Sequence, residues 1–213
     1  MITEKKHIKV KVCGLTMKEN IKKVAALEID MIGLNFAAVS PRFLRDKKSI
    51  IDLLHEIKNV LKIGIFVDPS AQYVSEMIDK YQLDKIQLHG QESADFCNIF
   101  SGRVKVIKAF GIDEYFDYKL LEKYKTSCDY LLFDTFTSLH GGSGKTFNWK
   151  LLEGKNIPLP FLLSGGIDSD MIDQIKLIDL PNFTGVDINS KFEIKPGIKN
   201  VEKIKAFINE LRS

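Results

Sequence analysis

Two residues able to move protons stand where strands should end. Cys13 follows the alternating run "IKVKV" (8–12) and precedes Gly14; Asp134 closes "DYLLFD" (129–134) and precedes Thr135. A thiol near a cation yields its proton readily and can then act as a base. Strand alternation puts Lys11 on the same side as Cys13, so such a cation is at hand. A carboxylic acid that still holds its proton can act as the matching acid. Thiolate and acid on one cavity suit a proton-shuttling isomerisation. Taken singly, each has a plainer reading: a buried cysteine is a small apolar side chain, and an aspartate after a strand caps the next loop.

Other strand ends carry comparable residues. His89 precedes Gly90, Asp68 precedes Pro69, and Ser164 precedes Gly165 and Gly166. A histidine in such a place also serves merely to position its neighbours. Arg42, in "SPRF" (40–43), lies on a proline-punctuated loop and offers a fork that matches a carboxylate.

Phosphate chemistry is suggested by three late segments, 141–146, 164–166 and 189–190, which could present backbone N–H groups to an anion. The tetrad Ser143-Gly144-Lys145-Thr146 looks like the end of a P-loop. That motif needs a glycine where Leu139 stands, and a helix directly behind it. Phe147-Asn148-Trp149 has no helical period, so the expectation is a glycine-rich loop over a phosphorylated small molecule rather than a nucleotide site.

Positioning these residues requires a repeating scaffold. Eight β-rich runs are visible, at 8–12, 31–36, 61–67, 85–89, 103–109, 129–134, 160–165 and 184–189, with helical patterns between them. Residues 48–59 place Ile50, Ile51, Leu53, Leu54 and Ile57 on one face; residues 199–211 do so with Val201, Ile204, Phe207, Ile208 and Leu211. The pattern in "DSDMIDQIKL" is shorter. Strand–helix alternation implies parallel strands. Eight units suit a closed (β/α)₈ barrel spanning 1–213 as a single domain, shorter than the roughly 250 residues typical of that fold. A doubly wound sheet would want a glycine fingerprint after its first strand, and "CGLTMKEN" lacks one. In a barrel all the residues above would meet at one rim, and phosphate would sit at the loops after the seventh and eighth strands.

Composition narrows the partners. Lys plus Arg number 31 against 28 Asp plus Glu, too even to point to nucleic acid or a membrane surface. Cys13, Cys97 and Cys128 show neither disulfide nor metal-ligand spacing, so reduced thiols in a cytoplasmic protein are expected. No apolar run is long enough to span a membrane, and the opening "MITEKKHIKVKV" has no apolar signal core. An epimerase of the metal-dependent kind would need several strand-end histidines, and only His89 stands so. A silent metabolite-binding protein would need neither Cys13 nor Asp134.

The motifs "KVCGLT" (11–16), "SPRF" (40–43), "FVD" (66–68), "QLHG" (87–90), "DT" (134–135), "GGSGKTFNW" (141–149), "LSGGI" (163–167) and "GVDINSKFEIKPGIKN" (185–200) together resemble the phosphoribosylanthranilate isomerases of tryptophan biosynthesis. They run along nearly the whole chain in family order. The resemblance implies a (β/α)₈ barrel and an Amadori rearrangement of N-(5-phospho-β-D-ribosyl)anthranilate without cofactor or metal. It implies Cys13 as general base at C2′ of the sugar, Asp134 as general acid at the ring oxygen, and Arg42 as holder of the anthranilate carboxylate. It also implies a substrate-binding set of His89, Gly142, Ser143, Gly144, Gly165, Gly166, Asp187, Asn189 and Ser190. A monomer or weak homodimer is expected. One departure stands out: Asn189 and Lys191 replace smaller residues common in the family, at the segment expected to bind phosphate.

Overall fold

The computed structural model describes residues 7–135 and 148–213. Eight parallel strands close into a barrel in sequence order: β1 (Lys9–Cys13), β2 (Met31–Asn35), β3 (Leu61–Phe66), β4 (Lys85–Leu88), β5 (Lys105–Ile112), β6 (Tyr130–Thr135), β7 (Phe161–Leu163) and β8 (Phe183–Ile188). The seam is the pairing of β8 with β1, where Lys11 lies opposite Asp187. The eight runs read from sequence are these strands, displaced by two residues or fewer except at β5, which starts two residues later and runs three further.

Side-chain alternation divides each strand between two interiors. Val10, Val12, Ile32, Leu34, Ile86, Leu88, Leu131 and Phe133 face outward into the layer beneath the helices. Met31, Ile63, Ile107, Ala109, Leu132 and Leu162 fill the lumen. Below them the Lys85 ammonium sits 3.8 Å from the centre of the Tyr130 ring, with Lys9 at 5.7 Å. The barrel is therefore plugged by side chains, and its upper rim is free for polar ones.

Helices α1 (Lys18–Ala25), α2 (Lys48–Glu56), α3 (Ala71–Tyr81), α4 (Ala94–Asn98), α5 (Ile172–Lys176) and α6 (Val201–Arg212) cover the sheet. The Asn200 side chain accepts from the Lys203 N–H at 3.0 Å to cap α6. That helix buries Ile204, Phe207, Ile208 and Leu211. Between β5 and β6, where a helical pattern is expected, the chain forms a 3₁₀ turn, Tyr118–Tyr124, and a second 3₁₀ turn, Trp149–Leu152, precedes β7. In the first, Leu121 and Tyr124 are buried; Leu120 is partly buried against the core, as is Tyr118, three before Leu121. That is a period of three, which a 3₁₀ helix presents on one face and an α-helix smears.

A small antiparallel pair, β9 (Glu193–Lys195) and β10 (Ile198–Lys199), follows β8. The sequence reading took this stretch as a motif without strands. Its turn is Pro196-Gly197, with Gly197 left-handed at φ +86°. No helix among the described residues is long and apolar enough to cross a membrane.

Candidate active site at the upper rim

Cys13 ends β1 beside Gly33 of β2. A methyl on Gly33 would lie 3.0 Å from the sulfur, so the absence of a side chain there makes room for the thiol. Burial pushes this thiol up, against the pull of Lys11 and Lys199; Asp187 adds to the rise. Lys11 Nζ donates to Asp187 Oδ2 at 2.8 Å, and the two side chains are 0% and 4% exposed. Burial pulls the Lys11 ammonium down, yet the Asp187 carboxylate and Cys13 together hold it above the ordinary lysine range. Cys13 thus has a permanent cation beside it.

Asp134 ends β6 on the same rim. Its Oδ1 accepts from the Thr135 N–H at 2.8 Å, and its Oδ2 is 3.5 Å from His89 Nε2. Behind His89, Gln87 Nε2 lies 2.7 Å from Nδ1, so the imidazole is gripped from the buried side. Gly165, at φ +84°, passes close to Asp134: a Cβ there would come within 2.7 Å of Oδ1 and would collide with Thr135. A cavity of about 250 Å³ adjoins this pair, walled by Lys108, Phe110, Phe116 and Tyr124.

Arg42 reaches the rim from the β2–α2 connection, where Gly14 gives it passage. Gly14 is left-handed at φ +80°, and a Cβ on it would lie 2.6 Å from Arg42 Cδ and 3.0 Å from Asn189 Oδ1. The arginine grips Glu193 with one edge of its fork, Nε to Oε1 at 2.9 Å and Nη2 to Oε2 at 2.7 Å. Lys199 Nζ donates to the same Glu193 at 2.8 Å and to Asn189 Oδ1 at 2.6 Å. Burial pulls the Lys199 ammonium down, and Glu193 only partly restores it.

Cys13, Asp134 and His89 thus stand at strand ends, and Arg42 on the β2–α2 connection. Gly165 and Gly166, both left-handed, form the turn after β7. Gly142, Ser143 and Gly144 lie outside the described residues. Two expected substrate contacts have other occupations. The Asp187 carboxylate, low in the lumen, is committed to Lys11, with Oδ1 unpartnered among the described residues. The Asn189 side chain accepts from Lys199; Ser190 opens the short 3₁₀ turn Ser190–Phe192. Among the described residues no cluster of three or more His, Cys, Asp or Glu could hold a metal ion.

Sequence reading passed over Gln87, Glu193 and Lys199. Gln87 was findable, since alternation puts it on the face of His89. Glu193 and Lys199 were findable from the Pro-Gly turn between them, a hairpin signal that aligns the flanking residues.

Residues 10–210 match the family model described as N-(5′-phosphoribosyl)anthranilate (PRA) isomerase. The N-(5′-phosphoribosyl)anthranilate isomerase of Parabacteroides distasonis is 40% identical over 206 residues, covering 95% of this chain and 92% of the relative. The crystal structure of the phosphoribosyl anthranilate isomerase from Thermotoga maritima superposes with a TM-score of 0.83 at 29% identity, covering 97% of this chain and 99% of that one. A further solved enzyme of this kind, in complex with reduced 1-(o-carboxyphenylamino)-1-deoxyribulose 5-phosphate, gives a TM-score of 0.79 at 26% identity, with 97% and 99% covered. The chain belongs to the N-(5′-phosphoribosyl)anthranilate isomerase family.

Proposed function

We infer that Cys13 and Asp134 carry out the aldose–ketose isomerisation of tryptophan biosynthesis that defines this family. The substrate is N-(5-phospho-β-D-ribosyl)anthranilate and the product 1-(2-carboxyphenylamino)-1-deoxy-D-ribulose 5-phosphate. Asp134 gives its proton to the furanose oxygen as the bond from that oxygen to C1′ breaks, and the anilino nitrogen supplies electrons to form the iminium. The Cys13 thiolate then takes the proton from C2′, the electron pair moves into the C1′–C2′ bond as the C1′–N double bond returns its pair to nitrogen, and the resulting enolamine takes up a proton at C1′ as its hydroxyl loses one to give the ketone. Arg42 holds the anthranilate carboxylate, and the turn of Gly165 and Gly166 with the backbone at Ser190 receives the phosphate. Anchoring both anionic ends fixes the reacting carbons between acid and base.

The observation carrying this reading is that Cys13 and Asp134 end strands on one rim, with a fixed cation behind the thiol and His89 beside the acid. Purified protein assayed for loss of substrate fluorescence tests it. Cys13→Ala and Asp134→Asn should each lose about 10²–10⁴ in turnover while still binding a product analogue. Near-native turnover in either variant removes that residue from the mechanism. In the wild type, kcat/KM should rise with pH as the thiol ionises. Because burial pushes that thiol up, the limb should lie higher than an unburied cysteine would give.

A further inference from the structure

Glu193 sits between two cations with different duties. Its carboxylate takes the Nε–Nη2 edge of Arg42 and, through Oε1, the ammonium of Lys199; the Gly197 N–H also donates to Oε1 at 3.0 Å. The Glu193 side chain is 5% exposed and that of Lys199 0%. A guanidinium has a second edge, Nη1 with the other hydrogen of Nη2, and the clasp leaves it turned away from Glu193. Lys199 reaches the Cys13 end of β1 through Asn189, whose Oδ1 accepts its ammonium at 2.6 Å and would lie 3.0 Å from a Cβ on Gly14, the residue after Cys13; with Lys11 it is one of the two cations acting on the thiol.

We propose that Glu193 is a positioning residue serving both ends of the reaction: it presents the outer edge of Arg42 to the substrate carboxylate and tempers the charge of Lys199 beside Cys13. The proposal rests on the roles given above to Arg42 and Cys13. The groups facing Cys13 are Lys11 on its own strand, Asp187 on β8 and Lys199 on β10, with Glu193 and Arg42 behind Lys199 and the Asp134–His89 pair across the rim. With the thiol protonated, the cluster of Lys11, Asp187, Lys199, Glu193 and Arg42 carries one surplus positive charge; ionising Cys13 brings it to neutrality. Removing the charge of Glu193 leaves a larger surplus and favours the thiolate. Removing that of Lys199 does the opposite.

The test reads Cys13 directly in the substrate-free enzyme, as the pH dependence of iodoacetamide labelling, followed on the Cys13 peptide by mass spectrometry. Glu193→Gln should move the labelling midpoint to lower pH and Lys199→Met to higher pH, each by about one unit or more. Lys199→Arg, which keeps the charge, should move it much less than Lys199→Met. Mere loosening of the fold would shift both charge-removing variants the same way, and that result, or no shift, overturns the proposal. If Glu193→Gln does not fold, the Lys199 pair carries the labelling arm alone. In turnover, Glu193→Gln should raise KM roughly tenfold with a smaller change in kcat, as Arg42 loses one side of its anchor. An unchanged KM overturns the Arg42 half. An active Cys13→Ala enzyme would sink the proposed function and leave the labelling result standing.

Discussion

At the scale of single residues, the rim depends on a side chain that is missing. Gly14 adopts a left-handed backbone and lets Arg42 and Asn189 pass within contact distance. Gly14→Ala should therefore act twice: it should cost about 1–2 kcal/mol for the left-handed conformation, and it should push Arg42 off its line to the substrate. The expected outcome is a raised KM, with the stability loss visible in urea unfolding. A variant destabilised to that extent with an unchanged KM would mean that Arg42 reaches its place by another route. Much at this scale was legible beforehand. Cys13, His89 and Asp134 each announced themselves by standing next to a glycine or threonine at a strand end, and Arg42 by following a proline in a loop. Glu193 did not. The partner of Arg42 lies 151 positions away along the chain, and no local period points to it.

Among the elements, the β9–β10 hairpin is held from outside by one residue of α1. Asn20 donates to the Lys199 carbonyl at 2.9 Å and accepts from the Lys199 N–H at 2.8 Å, all of it buried. Asn20→Leu leaves a peptide group without its partners and should lower stability by about 1–3 kcal/mol, measured by chemical denaturation. An effect within a few tenths of a kcal/mol would show that the hairpin holds its place without α1. Strands were easier to read than the segments between them. Alternating apolar residues buried on both faces mark a parallel strand plainly, whereas Tyr118, Leu121 and Tyr124 are spaced for 3₁₀ geometry inside a stretch that also fits a loose α-helical pattern. The hairpin strands, three and two residues long, are too short to show any alternation.

For the whole molecule, the barrel closes where β8 pairs with β1. Lys11 and Asp187 meet there in full burial, so neither can be removed alone without stranding the other's charge. Lys11→Met should cost about 3–5 kcal/mol, and thermal unfolding should shift down accordingly. Lys11→Met together with Asp187→Leu should recover much of that loss, because the stranded charge is gone. A double variant no more stable than the single one would mean that the seam needs the ion pair for its shape. The number of strands was readable from the count of apolar runs, and from that count the closed barrel. The seam's register was not, because alternation fixes which face a residue takes but not its partner on a strand at the far end of the chain.

The clasp between Arg42 and Glu193 has a temporal meaning. A ribosome delivers the chain from its first residue, and Arg42 emerges early. Its orienting carboxylate lies 151 positions further along the chain, and Lys11 must likewise wait for Asp187, 176 positions on. Long-range pairings of this kind form late and slowly. A nascent chain that has completed six strands therefore has Cys13, Arg42 and Asp134, yet neither the carboxylate that orients Arg42 nor the one that neutralises Lys11. The orientation of the rim is thus set by contacts that no short stretch of the chain can make by itself.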